Sequence, residues 1–505
     1  MLLSLVLLWL LVGGSQASHF LGTVMTYYPK ETLANGSISV ILRYKLNFAR
    51  CKHSDTWECS GNCGIETQTL ALSVVEEETM LDSRWCQREG EITHLLPNNT
   101  GFQTVLEGSG WVTNTQNGVS FWLAVTDVEL RNRSDIEKPN SSPQSTILPA
   151  LRFPSNCAKN INLLAFDPDG DEVKCRYGSM SDSECNPCTP PSVLSLSSSC
   201  SLSFSPTNST LNSSTELLYA VQLVMEDFPT QNITLTQTDG SQEVKTTTDA
   251  ISKIPLQFVL RVGPTIPSCT EGLYLPRFLF PTPENRAQLF STVGQVLEIS
   301  IRAEANMSVI TNLLYSGPYN VVKRSLGSGS FFLSWTPSAT EVGQSHPICF
   351  TVQANVSNTF YDSELRCVIV TVGNAPSLST AGPTSSVPLS TESSTELILN
   401  TTTPSTVNAT ANSTTLISTR NATTNITLAL NTTTSTNATQ IISTLAGTTS
   451  DPGPGYVIAL NMKISTTLSL KDDSDTIIAL IKEKLVQEGL PSSITIRPLN
   501  TTASP

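Results

Sequence analysis

Leu202-Ser203-Phe204-Ser205-Pro206 returns as Leu333-Ser334-Trp335-Thr336-Pro337, each an apolar–polar alternation closed by proline. Alternation at period two marks a half-buried strand. An alternating strand follows each copy 11 to 13 residues later, built on Tyr219, Val221, Leu223 and Met225 in the first and on Ile348, Phe350, Val352 and Ala354 in the second. Each copy then closes on a β-rich run ending in Val-Gly, Leu256 to Gly263 and Leu365 to Gly373. Three landmarks recurring in one order set chance similarity aside and predict two tandem β-sandwiches, residues 146–264 and 265–374.

Upstream, residues 18–145 read as a further β domain. Ile38, Val40, Leu42, Tyr44, Leu46 and Phe48 alternate with Ser39, Ile41, Arg43, Lys45 and Asn47, so a strand with one apolar and one mostly polar, solvent-facing side is expected. Leu70, Leu72 and Val74 predict another strand. Asn117-Gly118, between Trp111-Val112-Thr113 and Val119, Phe121, Leu123, Val125, predicts a hairpin.

Taken with these landmarks, the Asp/Gly-rich turn at Asp167-Pro168-Asp169-Gly170-Asp171, the Leu-x-Trp-Thr-Pro edge and the closing Val-x-Val strand resemble the cadherin-like repeats of the dystroglycan type. That resemblance implies extracellular β-sandwiches used in adhesion or matrix contact. The second copy departs from it: the stretch Ile299 to Asn306 carries Ala303-Glu304-Ala305 where the acidic turn should be, so no shared metal role is implied there.

Downstream the composition changes abruptly. Between Ala381 and Ser450, 33 of 70 positions are Ser or Thr and only Glu392, Glu396 and Arg420 are charged. Such a segment cannot bury enough apolar surface to offset its ordering entropy and is expected to stay extended. It carries sequons at Asn400, Asn408, Asn412, Asn421, Asn425, Asn431 and Asn437, and residues 375–453 resemble a mucin-like stalk with a reach of roughly 200 Å at ~3 Å per residue. Residues 454–505 read as a βαβ segment. Its parts are a strand on Ile458, Leu460, Met462 and Ile464, a helix carrying Ile477, Ile481 and Leu485 and stopped by Gly489, and a second strand from Ile494 and Ile496. It resembles the first half of a SEA-type, ferredoxin-like module without the Gly-Ser-apolar cleavage motif.

Met1 to Val12 is an apolar run followed by Ser15-Gln16-Ala17, a secretory leader expected to be cleaved after Ala17. No later run reaches eighteen apolar residues, so a secreted chain is expected, tethered at the cell surface if the natural chain continues past Pro505. The net charge of −13 lacks the basic cluster that nucleic acid requires.

In an oxidising compartment the twelve cysteines should pair. Cys51, Cys59, Cys63 and Cys86 lie in the N-terminal domain with three connectivities open. The first sandwich holds Cys157, Cys175, Cys185, Cys188 and Cys200 and the second Cys269, Cys349 and Cys367. Odd counts on both sides require a bridge across the boundary or two free thiols. Cys349 with Cys367 on neighbouring strands is favoured, leaving Cys269 to staple the linker to the first sandwich, as a rigid adhesive rod would need.

Asp167, Asp169 and Asp171 supply hard oxygen ligands suited to calcium, with Glu226-Asp227 as further candidates; the competing reading is a hairpin turn capped by its own Asp side chains. Sequons outside the stalk, at Asn35, Asn98, Asn132, Asn140, Asn208, Asn212, Asn232, Asn306 and Asn355, with one more at Asn500, are expected at the surface. Four histidines and no Gly-x-Ser-x-Gly or His-Glu-x-x-His setting leave nothing for an enzyme, and Gly327-Ser328-Gly329-Ser330 reads as a turn. The chain is thus expected to be mainly β: tandem disulfide-bonded β-sandwich domains, a disordered stalk and a small βαβ end. Its expected role is as a non-enzymatic adhesion or surface-lining glycoprotein, or as a secreted calcium-dependent binder. Its partners would be an extracellular protein or glycan, or a second copy.

Overall fold

The computed structural model describes residues 19–33, 35–79, 84–206 and 216–373, with 415–419, 422–429, 463–465 and Lys482. The expected leader, Asn208, Asn212, most of the stalk and nearly all of the βαβ segment lie outside the described residues. The chain divides into two units, Met1–Thr380 and Ala381–Pro505. In the second, β27 (Thr415–Thr419), β28 (Ala422–Ala429) and β29 (Lys463–Ser465) pair antiparallel in that order.

The first unit is almost entirely β. Its N-terminal part contributes β1 (Phe20–Thr32), β2 (Ile38–Phe48), β3 (Glu58–Ser60), β4 (Ile65–Glu78), β5 (Trp85–Leu96), β6 (Phe102–Ser109), β7 (Phe121–Val128) and β8 (Asn132–Arg133). Next come β9 (Ala150–Pro154), β10 (Lys159–Asn162), β11 (Glu172–Tyr177), β12 (Leu194–Leu196), β13 (Ser201–Phe204) and β14 (Leu217–Phe228), then β15 (Ile233–Thr236), β16 (Gln242–Lys245) and β17 (Lys253–Gly263). The remainder holds β18 (Arg277–Leu279), β19 (Ala287–Ser291), β20 (Leu297–Glu304), β21 (Val309–Ser316), β22 (Val322–Gly327) and β23 (Ser330–Trp335), followed by β24 (Ser345–Val356), β25 (Thr359–Asp362) and β26 (Arg366–Val372).

The sequence repeat is a repeat of topology. One layer runs β9-β17-β14-β11 in the first copy and β19-β26-β24-β21 in the second, both opening on a parallel pair and continuing antiparallel. The facing layers are β10-β13-β12 and β18-β20-β23-β22, with the recurrent Leu-Ser-aromatic segment as the central strand β13 or β23. Leu202 and Phe204 in one, Leu333 and Trp335 in the other, point into the core while the intervening serines are half-exposed. The turn between β22 and β23 is Ser328-Gly329, both at positive φ, and a Cβ on Gly329 would lie 2.3 Å from the Ala303 carbonyl oxygen.

At the expected 145/146 boundary the packing does not break. Beyond β9, the same edge of β17 continues onto β1 at Val24–Leu256 and onto β7 at Asp127–Lys253, so one eleven-stranded sheet passes from the N-terminal domain into the first sandwich. Gly22 makes this approach possible: its φ is +113° and a Cβ there would sit 2.0 Å from the Gln257 carbonyl oxygen. Beside it Phe20 stacks on Trp122 at 4.5 Å and meets Trp111 edge-on at 4.8 Å. The hairpin expected around Asn117-Gly118 exists as β6–β7, but 111–113 is not part of its strand. Asn117 reaches across to the first sandwich, donating to the Thr189 and Ala220 carbonyls and accepting from the Ala220 N–H.

Two expectations are corrected. β2 does not turn a polar side to solvent: Lys45 and Asn47 are buried and Arg43 is half-buried, because the second sandwich folds back over that face. Tyr28 exchanges hydrogen bonds with the Ser345 backbone, Arg43 donates to Gln344, Lys45 to the Gly317 carbonyl, and Tyr315 to the Val75 carbonyl. A rod whose domains touch only their sequence neighbours therefore does not form, since the N-terminal domain contacts both sandwiches.

All twelve cysteines are paired: Cys51–Cys86, Cys59–Cys63, Cys157–Cys269, Cys175–Cys200, Cys185–Cys188 and Cys349–Cys367. Cys157–Cys269 spans the two sandwiches, beside a bond from the Arg152 N–H to Asp362 and another from the Tyr361 hydroxyl to the Pro264 carbonyl. Replacing Cys157 and Cys269 together by Ser should lower unfolding stability by about 2–5 kcal/mol, given the long loop this bridge closes. Denaturant titration of the double variant checks it, and an unchanged midpoint would mean the bridge constrains nothing.

Candidate metal site

β8 pairs with β15, and this short pairing carries Arg133 to the seam between the N-terminal domain and the first sandwich. The loop from β10 to β11 brings the acidic turn to the same place, and the end of β14 brings Asp227. One carboxylate oxygen each from Asp167, Asp171 and Asp227 lies within 4.8 Å of the other two.

The ligand set expected from sequence is Asp167, Asp169 and Asp171, with Glu226 and Asp227 as further candidates. The structure brings the first and third together and replaces the second by Asp227. Asp169 turns away, paired through one oxygen with Lys138 at 2.6 Å and accepting the Ser141 N–H through the other at 2.6 Å. Alternation along the strand explains the companion result: Asp227 points into the seam while Glu226 points to the opposite side and binds Arg176.

Each carboxylate has a distinct setting. Asp167 is 7% exposed; its Oδ1 accepts the N–H groups of Asp169 and Asp171 at 2.8 and 3.3 Å, while its Oδ2 is buried with no hydrogen-bond partner among the described residues. Asp227 is fully buried, its Oδ1 accepting the N–H and hydroxyl of Ser252 and its Oδ2 the amide of Asn140 at 2.7 Å. Asp171 receives both terminal nitrogens of Arg133. Arg133 also holds Asp135 and donates to Asn140 Oδ1 at 2.6 Å.

The Arg133 guanidinium pairs with Asp171 and Asp135 and with neither Asp167 nor Asp227, and the acids respond. Burial pushes the Asp227 carboxyl up to about 7, its bonds from Asn140 and Ser252 offsetting only part of that cost. Burial, then the charges of Asp227, Asp171 and Asp169, holds Asp167 well above the usual carboxylate range. Asp171 is raised by burial despite Arg133. Converging oxygens, an orphaned carboxylate lone pair and uncompensated buried charge suit a hard divalent cation. A capped hairpin alone would not leave Asp167 Oδ2 unpartnered. Among the described residues the other close set of potential ligands, Cys51, Glu77 and Cys86, has both sulfurs tied in a disulfide and is no metal site.

Sequence reading missed Arg133 and misread Asn140. The Asn140 sequon does not present a surface amide: Asn140 is fully buried, its Nδ2 engaged with Asp227 and the Tyr27 hydroxyl. A glycan has no room there. Asn35, Asn132, Asn232 and Asn306 are exposed, and Asn98 and Asn355 half-exposed.

No family model matches the chain. Integrin beta-like protein E of Dictyostelium discoideum is 26% identical over 275 residues, which is 50% of this chain and 13% of that protein. The chain therefore spans about an eighth of the length of that relative. Among solved structures, human protocadherin-24 repeats EC1-2 align at 14% identity over 47% of this chain and all of that one, with a TM-score of 0.15. Tandem Ig repeats of Dlar align at 12% identity over 46% and 98%, with a TM-score of 0.17. The sialic acid binding region of a Streptococcus sanguinis SK1 adhesin aligns at 11% over 71% and 79%, also at 0.17. Scores this low carry no inference about this chain. The sequence similarity to the integrin beta-like protein is weak, and six disulfides without a free thiol among the described residues fit a secreted or cell-surface protein. Among the described residues no helix is long and apolar enough to cross a membrane.

Glycopeptide mass spectrometry of the secreted chain should find Asn35, Asn132, Asn232 and Asn306 occupied and Asn140 bare. Substantial occupancy of Asn140 in natively folded protein would contradict the buried amide.

Proposed function

We propose that this chain is a non-enzymatic extracellular glycoprotein of adhesion or surface lining, whose tandem β-sandwiches bind an extracellular protein, a glycan or a second copy. The name of the integrin beta-like relative and the disulfide-stapled sandwich body support this reading. In it, residues 375–453 act as a mucin-like stalk and residues 454–505 as a SEA-like half-module. A calcium ion is held by Asp167, Asp171 and Asp227 at the seam between the N-terminal domain and the first sandwich. The observation that carries the calcium is Asp167 Oδ2, a buried carboxylate oxygen left without a partner.

The residues assign roles without further groups. Asp167 and Asp227 supply buried charge, Asp171 is oriented by Arg133, and Asn140 and Ser252 hold Asp227 in place. Because Arg133 and Asn140 belong to the N-terminal domain and the carboxylates to the first sandwich, the ion ties the two domains together at this seam.

Saturating calcium should raise the melting temperature by at least ~2 °C over chelator-treated protein. Asp167→Asn should abolish that rise while leaving the metal-free protein at least as stable, since it removes a buried charge at an oxygen, Oδ2, that accepts no hydrogen bond among the described residues. An equal rise in the variant would remove the site. Beads coated densely with the full ectodomain should aggregate or bind cells or matrix, and more so with calcium. Absence of all three would sink the adhesion reading and leave the soluble binder, which glycan and protein arrays would then test.

A further inference from the structure

The covered face of β2 holds a second buried polar group, unrelated to the metal site. His346, at the start of β24, is 2% exposed and is wedged between the N-terminal domain and the second sandwich against the Trp335 ring, with centroids 4.8 Å apart. Its Nδ1 lies 3.3 Å from an Arg43 terminal nitrogen, and its Nε2 is buried with no hydrogen-bond partner among the described residues. A guanidinium can only donate, so Nδ1 accepts and the ring is neutral with its proton on Nε2.

We propose that His346 is an acid-operated latch: on acidification it takes up a proton and releases the second sandwich from the N-terminal domain. A proton on Nδ1 would point a donor at the Arg43 donor. The added charge would also stand beside two cations, Arg43 and the Glu89-paired Lys45, which line one cavity of about 20 Å³ with His346, Glu89, Gln144 and Gly317. That volume admits about one water and no counter-ion shell. The carboxylates nearby are committed: Glu89 on β5 pairs with Lys45 and Arg43, and Glu91 with Arg43 at 3.0 Å. Glu341, from the turn before β24, acts on Arg43. The remaining facing groups, Val24 and Thr26 on β1 and Val370 on β26, carry no charge.

The sign follows from the neutral ring. Burial first, then Arg43 and Lys45, holds the folded His346 well below its ordinary value of 6.5. The contact is therefore at full strength above about pH 6.5. Below it, the open form gains a proton that the closed form refuses, and the opening constant rises up to about tenfold per pH unit until the folded value is reached.

Hydrogen exchange on the full chain, corrected for intrinsic rates, reads this at peptides covering 315–318 and 344–348, with β13, which carries no titratable side chain, as internal control. Between pH 6.5 and 5.5, protection of the interface peptides should fall up to about fivefold in the wild type while β13 holds. In His346→Gln, whose amide oxygen still accepts Arg43 but does not titrate, the interface should stay protected. The same loss in the variant overturns the latch. Should the variant not fold, imidazole NMR of the wild type decides: a His346 resonance titrating near 6.5 while interface protection is intact overturns it, and one that stays neutral until protection is lost supports it.

Discussion

A β-strand has two edges to offer, and β17 uses both to the end. One edge takes β14 along its whole length; the other is divided among β9, β1 and β7. Ten of its eleven residues are buried, so the strand is at once the centre of the first sandwich and the point of attachment of the N-terminal domain. A change that shifts its register by one residue moves side chains in two domains to the wrong face together. Gly22 and the Phe20–Trp122 stack exist where they do because β1 must close on this strand and nothing bulkier than a hydrogen fits between them.

The seams between domains are polar where the domain interiors are apolar. Asp227, Asp171 and Arg133 occupy one; Arg43, Lys45, Glu89 and His346 occupy another; Arg152 and Arg261 share Glu216 beside the third, which Cys157–Cys269 closes covalently. Buried ion pairs add little net stability against apolar replacements, but breaking one leaves a bare charge, so they penalise misdocked arrangements steeply. Polar seams also make the contacts between domains sensitive to ions and protons in a way that the Leu and Val interiors are not.

Local patterning made the sandwiches legible. The Leu-Ser-aromatic-x-Pro repeat, the strand after it and the closing Val-Gly run fall on equivalent strands, because each is a short-range signal of alternation and turn chemistry. What did not show was which polar faces would be covered. Arg43, Lys45 and Asn47 read as solvent-facing, since nothing local says that Gln344 and His346, three hundred residues away, return to them. The same limit governs the acidic site. Asp167, Asp169 and Asp171 are visible as a turn and Asp227 as a further candidate, but which of them converge is not, because spacing along the chain says nothing of how close the end of β14 comes to that turn. Arg133 and Asn140 were invisible as partners because each sits inside a sequence that reads as a surface sequon.

Asn140 has a consequence for how the chain matures. A secretory protein meets the glycosylation machinery while still unfolded, when Asn140-Ser141-Ser142 is as accessible as any other acceptor. Once Asp227, Tyr27 and Arg133 have closed around the amide it is out of reach. A sugar on this amide and the closed seam exclude one another, because the Asn140 nitrogen that a glycan would take is the one that donates to Asp227 and Tyr27. In a chain that followed the secretory route, the order of modification and folding would decide at this residue whether the first two domains dock.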